Sequence, residues 1–346
     1  MSQPKTLRIG VIGCGMIGTD HVRTLSTVVS GAEVVAVSDA DPQRAAEAAE
    51  LAGGAQVEMD PDVLITDPTV DAVLVASSED THERMVLSCL GAGKPVLCEK
   101  PLAPSAAECL RVVQAEVTLG RKLVQVGFMR RFDPSYMEMK QVLDSRRIGD
   151  ALFLHCIHRN ADYPPRYDSN ALVTATGVHD IDIARWLLGR EIVSVTTHTP
   201  KPSSLVRAGF QDPQFVVLQT EDGAVIDLEI FVNARYGYDV RCELVAERGT
   251  VSLMPPATAT LRVEGMEGEP VLADSRPRFA PAFRNELQAW VNAASNGQVI
   301  GATAWDGYAA AAVAEACLEA AATNTTASVH LAAKPSLYGN GRQEAA

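Results

Sequence analysis

A chain of 346 residues, 47% of them hydrophobic, can bury the cores of two domains of ordinary size. Its formal charge of −13, from 30 basic and 43 acidic residues, argues against a nucleic-acid partner, since binding a phosphate backbone draws on clustered Lys and Arg that release counterions. No apolar run reaches the roughly 18 residues that span a bilayer, so no membrane partner and no export signal are expected, and the seven scattered cysteines, with no Cys-x-x-Cys pair, read as reduced and mostly buried thiols of a cytoplasmic protein.

From residue 7 to residue 127, short apolar runs alternate with helical patterns, the signature of parallel strands joined by crossover helices. Strands are expected at 7–12, 33–37, 72–76, 95–98 and 123–126, and helices at 17–29, 42–51, 81–92 and 105–119. This is a doubly wound α/β domain of the Rossmann kind, assigned to residues 1–127.

Between the first strand and first helix stands Gly13-Cys14-Gly15-Met16-Ile17-Gly18, which matches G-x-G-x-x-G. Gly13 permits the tight turn, Gly15 lets backbone amides approach a pyrophosphate at the helix N-terminus, and Gly18 lets helix and strand pack closely. Cofactor contacts are therefore expected at Gly13, Gly15, Met16, Ile17 and Gly18. The second strand leads to Asp39, 21 positions after Gly18, where a carboxylate bonds the adenosine ribose hydroxyls and repels a 2′-phosphate. NAD is the expected cofactor, with Arg44 keeping NADP as the alternative.

Next, Ser77-Ser78-Glu79-Asp80-Thr81-His82 opens a helix at another strand end. Ser77 and His82 suit the lining of a cofactor cleft, and His82 equally suits an exposed helix start. The segment Val96-Leu97-Cys98-Glu99-Lys100-Pro101-Leu102 then sets a lysine just past an apolar strand. In an open parallel sheet that position faces the ligand crevice, where a cation can reach a reacting oxygen. Cys14 and Cys98 flank these motifs and are read as small buried hydrophobes.

After Phe128 the rhythm changes to a helix at 134–144, a strand at 152–158, a loop rich in Pro, Tyr and Asn, and a helix at 177–188 that stops at Gly189. β-rich runs at 215–220, 224–231 and 239–246, separated by turn signals, predict a largely antiparallel open sheet. Helices at 282–294 and 305–322 complete an α+β domain over 128–334, followed by a polar tail at 335–346. In the helix after residue 177, Val178, Ile181, Ala184 and Leu188 form the buried stripe and leave His179 off it, in the first turn. A histidine there is a cap, a surface residue or a proton acceptor, because imidazole titrates near neutral pH.

These motifs, in this order, resemble the glucose–fructose oxidoreductase/inositol dehydrogenase/rhizopine catabolism (Gfo/Idh/MocA) family, and within it the bacterial myo-inositol 2-dehydrogenase branch. The resemblance rests on the glycine motif, Cys98-Glu99-Lys100-Pro101 and His179-Asp180-Ile181-Asp182. It extends through residues 124–133, 155–160, 231–239 and 304–308. It implies an NAD-dependent enzyme that oxidises a secondary ring alcohol of a cyclic polyol, myo-inositol to its 2-keto form. It further implies a homotetramer assembled through the C-terminal sheet. Lys100 would hold the substrate hydroxyl and His179 would take its proton. Arg130, His158 and Tyr238 would surround the polyol, while Glu99 and Lys100 would touch the nicotinamide.

One position departs from the pattern. An aspartate is usual four residues before the histidine, and Ala175 stands there instead. A carboxylate would orient the imidazole and stabilise its protonated form; its loss costs on the order of 10²–10⁴ in rate by analogy with other catalytic constellations. The alanine fits an engineered inactive variant, an impaired enzyme, or a natural member in which Thr174, Thr176, Asp182 or a water supplies the missing group. A sugar or anhydrosugar substrate, admitted by the loop at 162–167, and a nucleotide-binding protein without turnover are the competing readings.

Overall fold

The computed structural model describes residues 6–254 and 260–339. They form two compact units, and the units are not linear segments: residues up to 129 are joined by 283–311 and 331–339, whereas 130–282 are joined by 312–330.

The first unit alternates β1 (Leu7–Ile12), α1 (Met16–Thr27), β2 (Ala32–Ser38), α2 (Pro42–Leu51), β3 (Gln56–Val57), α3 (Pro61–Thr66), β4 (Ala72–Val75), α4 (Glu79–Gly91), β5 (Val96–Glu99), α5 (Ala106–Leu119) and β6 (Val124–Gly127). The strands pair in parallel in the order β6-β5-β4-β1-β2-β3, with Ala302–Thr303 antiparallel against β6. The strand order reverses between β4 and β1, where such sheets bind ligands beyond their carboxyl ends. β4 and β5 are buried throughout, as continuous apolar runs in a sheet covered on both faces should be. Local chemistry sets the helix ends: Asp41 caps α2 ahead of Pro42, Ser105 and Glu108 form a capping box on α5, and Gly120 closes α5 in the left-handed conformation. β3 and α3, of two and six residues, are too short for periodicity to register.

Leu287, Trp290 and Val291 share the core of this unit with Ile9, Val11 and Leu74. The expected polar tail is partly structured. Ser336–Tyr338 form a 3-10 turn, and the buried Tyr338 hydroxyl donates to Glu116, whose carboxylate also accepts the backbone N–H groups of Leu123 and Val124. Residues 340–346 of that tail lie outside the described residues.

The second unit holds α6 (Pro134–Asp144), β7 (Ala151–Arg159), α7 (Val178–Leu188), β8 (Ile192–His198), β9 (Gln214–Thr220), β10 (Val225–Phe231), β11 (Asp239–Ala246) and β12 (Gly249–Ser252). Its sheet runs β12-β11-β7-β10-β9-β8, with Ala327–Ser328 at the far edge. The pairing is antiparallel as expected except between β7 and β10, which run parallel with His158 opposite Ile230. A parallel pair needs a crossover, and the long excursion from β7 through α7, β8 and β9 supplies it. Alternation along β7 buries Leu154, Cys156 and His158 while Phe153 and His155 face outward; Leu152 is exposed where the register with β11 shifts. Two long helices follow, α8 (Ser275–Ala294) and α9 (Ala304–Thr323). α8 starts seven residues before the expected position 282, running through Pro281.

Candidate active site

Along the carboxyl edge of the first sheet, the order β5-β4-β1-β2 sets out Lys100, Ser77, the glycine loop and Asp39 in a row. Gly13 has φ +92°, and a Cβ there would meet the backbone of Ala76 and Ser77 at 2.4–2.5 Å. A Cβ on Gly18 would lie 1.9 Å from the Gly13 carbonyl oxygen. Gly15, the residue preceding α1, has open space where its Cβ would be, and Met16 beside it is 69% exposed. Two glycines thus close the turn and the third leaves an approach to the helix N-terminus, the division of labour a pyrophosphate site requires. Asp39 accepts the N–H of Cys14 at 2.6 Å and of Asp41 at 2.8 Å, which ties the end of β2 to the loop. Arg44 reaches back to Asp41 at 3.5 Å. These residues fit NAD.

Ser77 bonds Thr81 through its hydroxyl at 2.7 Å. His82 is neither exposed nor a surface cap: it is buried, with Nδ1 2.7 Å from the Pro101 carbonyl and Nε2 3.0 Å from the Ser77 carbonyl, so it joins the ends of β4 and β5. Glu99 at the end of β5 is buried too. Its Oε1 lies 2.7 Å from His21 Nε2, and its Oε2 accepts the Lys100 N–H at 3.2 Å. Burial alone would raise the Glu99 carboxyl, but the hydrogen bond and charge of His21, aided by Lys100, hold it below its ordinary value. The thiol of Cys14 is pushed up to about 12 by burial and by Asp39, and all seven cysteines are buried, in keeping with inert thiols.

In the second unit the polyol positions named from the sequence come together. Arg130 donates from Nη1 to Asp180 Oδ1 at 2.5 Å, and His158 Nδ1 lies 2.7 Å from Asp180 Oδ2. The His158 ring stands edge-on to Tyr238 at 6.0 Å and tilted to His179 at 6.3 Å. All five side chains are buried. Burial would lower the Arg130 guanidinium and raise the Asp180 carboxyl; their mutual attraction, with His158, overrides both, raising the arginine and lowering the aspartate. The Tyr238 phenol is pushed up to about 12, chiefly by burial.

α7 is not the half-buried helix its stripe suggested. Nine of its eleven residues are buried, Trp186 and Leu188 being the exceptions, because its polar face is itself engaged: Asp180 holds Arg130 and His158, and Asp182 grips Arg131 through both oxygens at 2.6 and 2.9 Å. Ala175 lies in the turn of π-helix Leu172–Gly177 that leads into α7, and Thr174 Oγ1 donates to the Asn170 carbonyl. Turns of this kind mark local departures from α-helix that recur at functional sites.

Two residues in these clusters escaped sequence reasoning. His21 shares the buried face of α1 with Gly18, Val22 and Leu25, and a polar residue on that stripe was the available signal. Asp180 stood in the His179-Asp180-Ile181-Asp182 motif without a role of its own, because its partners lie 22 and 50 residues away.

A glycine loop at the mouth of a doubly wound sheet, an acidic residue after β2, a lysine after β5 and a separate unit with a buried imidazole cluster define a two-domain nicotinamide-dependent oxidoreductase. Residues 7–128 match the oxidoreductase family's NAD-binding Rossmann fold and residues 140–331 its C-terminal alpha/beta domain, so the chain belongs to the Gfo/Idh/MocA family. It is 66% identical over 333 residues to inositol 2-dehydrogenase 2 of Saccharopolyspora erythraea, spanning 96% of this chain and 98% of that one. Its fold matches the crystal structure of myo-inositol dehydrogenase from Lactobacillus casei in complex with NAD(H) and myo-inositol, with TM-score 0.92 and 35% identity over 96% and 99% of the two chains. It also matches scyllo-inositol dehydrogenase of the same organism, bound to NAD(H) and scyllo-inositol, with TM-score 0.86 and 29% identity over 94% and 99%.

Proposed function

We propose that the protein oxidises the C2 hydroxyl of myo-inositol to the ketone with NAD. The observation that carries the reading is the buried polar cluster of Arg130, His158, His179 and Tyr238 in a chain 66% identical to an inositol 2-dehydrogenase. A cyclic polyol presents hydroxyls on every side, and a pocket of fixed donors and acceptors discriminates among them far better than an apolar one. Bound NAD supplies the hydride acceptor. The glycine loop with Met16, Ile17, Asp39, Ser77, His82 and Glu99 surrounds it, residues 1–127 serving as its domain and 128–334 as the substrate domain. Lys100 donates to the reacting oxygen and stabilises the charge that develops there, and His179 accepts the hydroxyl proton. Arg130, His158 and Tyr238 hold the ring.

The same reading makes the protein a cytoplasmic homotetramer, for which the outward face of the second sheet, with Phe153 about half exposed, is suited. A second reading keeps the chemistry and changes the polyol to a sugar or anhydrosugar. It is favoured by the loop after β7, where Tyr163 stacks on Phe210 at 4.5 Å and Arg207 donates to the carbonyls of Pro165 and Tyr167. NADH formation with a panel of inositol isomers, pyranoses and anhydrosugars tests both. Highest kcat/KM with myo-inositol and a 2-keto product support the first reading, and preference for a pyranose overturns it.

A further inference from the structure

The proton released from the alcohol needs an acceptor that is held in one tautomer and whose cationic form is stabilised. Ala175 carries no group able to do either. The second unit does contain a buried carboxylate–imidazole contact, but it stands five residues further along the chain and on another ring: Asp180 Oδ2 lies 2.7 Å from His158 Nδ1, with both side chains almost fully buried. A separation of 2.7 Å between a ring nitrogen and a carboxylate oxygen requires a proton between them. Asp180 is ionised beside Arg130, so the proton resides on Nδ1, and Nε2 becomes the acceptor nitrogen of the ring. Arg130 Nη2, 3.1 Å from the same Nδ1 and 3.5 Å from Nε2, is itself a donor and can share only the bare Nε2, so it is the carboxylate that fixes the proton on Nδ1 and organises both neighbours, one through each oxygen.

The groups facing His158 from the surrounding elements leave little choice of proton carrier. Arg130 is raised, since Asp180 outweighs the effect of its burial, and Asp180 is lowered. Burial pushes the phenol of Tyr136 on α6 well up and that of Tyr238 to about 12. On the same strand, the Cys156 thiol is well above its usual value through its hydrogen bond to Cys242 and its burial, while Arg278 is committed to Asp133 at 2.8 Å. His158 and His179 are the side chains here whose type exchanges protons near neutral pH, and their ring centres are 6.3 Å apart, a span one water bridges.

We infer that Asp180 is the positioning carboxylate of the proton-accepting site: it fixes His158 as the Nδ1–H tautomer, so that Nε2 takes on the proton that His179 receives from the substrate hydroxyl. In this step the carbinol loses hydride to NAD and its O–H proton to His179, the C=O bond forms, and the proton passes to His158 to give an imidazolium ion paired with Asp180. Alcohol, NAD⁺ and neutral imidazole thereby become ketone, NADH and imidazolium. The inference rests on the proposed polyol oxidation, with Asp180 doing for His158 what a carboxylate at 175 would do for His179.

The test compares the wild-type holoenzyme with Asp180→Asn, His158→Gln and the double variant Asp180→Asn/Ala175→Asp. His158→Gln leaves the Arg130–Asp180 pair intact, and so remains informative if Asp180→Asn fails to fold. Nitrogen-15 spectra of the histidine rings, assigned by loss of one signal in His158→Gln, should show protonated Nδ1 and bare Nε2 at His158 in the wild type. Each single variant should keep its NADH affinity and lose about tenfold or more in kcat. In Asp180→Asn the acid limb of the kcat–pH profile should move to lower pH, because the carboxylate no longer favours the imidazolium. Ala175→Asp should raise kcat by a larger factor in the Asp180→Asn background than in the wild type, which a merely structural role for Asp180 would not allow. A bare Nδ1 at His158 overturns the inference, as does a folded, NADH-binding single variant with kcat within about threefold of wild type and an unmoved acid limb. If the wild type oxidises no polyol, the functional reading fails, and the ring spectra still decide the tautomer.

Discussion

Replacing Gly15 and Gly18 separately by alanine should divide cofactor binding from folding. At Gly15 the backbone, φ −70° and ψ −167°, suits any residue, and the added methyl meets nothing within 4 Å. Gly15→Ala should therefore leave the melting temperature unchanged. If a pyrophosphate approaches this amide, the same methyl occupies its path, and NADH affinity should fall by about 10- to 100-fold, or about 1.4–2.8 kcal/mol. At Gly18 the new Cβ would lie 1.9 Å from a backbone oxygen, and no side-chain rotation relieves that contact. The required shift of loop or helix costs about 1–3 kcal/mol, partly offset by the ~1 kcal/mol that alanine gains over glycine within a helix. Gly18→Ala should thus lower both stability and affinity. Thermal melts and NADH fluorescence titrations measure the two quantities. Undiminished NADH binding by Gly15→Ala would refute the placement of the pyrophosphate.

Restoring the carboxylate with Ala175→Asp should raise kcat by about tenfold or more while NADH affinity stays constant, and steady-state rates equal to wild type would count against the position's role. Lys100→Met should reduce kcat by about 10²–10³ with the fold retained, as removal of a group that stabilises developing charge does; circular dichroism and single-turnover rates check both halves. Asp212 is fully buried, and its carboxyl is raised to about 6, mainly by that burial, although it accepts the Val232 N–H at 3.0 Å. Its folded pKa exceeds the unfolded value of about 3.9, so the folded state binds more protons between the two and stability falls as pH rises from about 4 to about 6. Asp212→Asn should accordingly raise the melting temperature above about pH 6 and have less effect near pH 4. Parallel melting curves at all pH values would contradict this.

Much of the first unit was legible because its signals are local. The glycine spacing, the acid after β2 and the lysine after β5 all sit at strand ends, and strand ends follow from apolar runs a few residues long. The second unit yielded its strands and the α7 stop at Gly189 for the same reason, and the resemblance across its segments named Arg130, His158, His179 and Tyr238. It did not yield the state of α7. Periodicity identifies which side of a helix is apolar, but here the polar side is buried as well, neutralised by Arg130, Arg131 and His158 from other elements. Nor did it show His82 as a buried tie between two strand ends, because both of its ring nitrogens face backbone carbonyls.

The sequence by itself determined the cofactor class, the chemistry and the family, because a hydride-transfer site needs a few residue types at spacings set by one turn of backbone. Only the tertiary structure decided which charges meet. Glu99 finds His21 across 78 residues and Asp180 finds His158 and Arg130 across 22 and 50. Pairings at such distances are fixed by how sheets and helices pack, and burial then makes them strong enough to set protonation states, which no local pattern records.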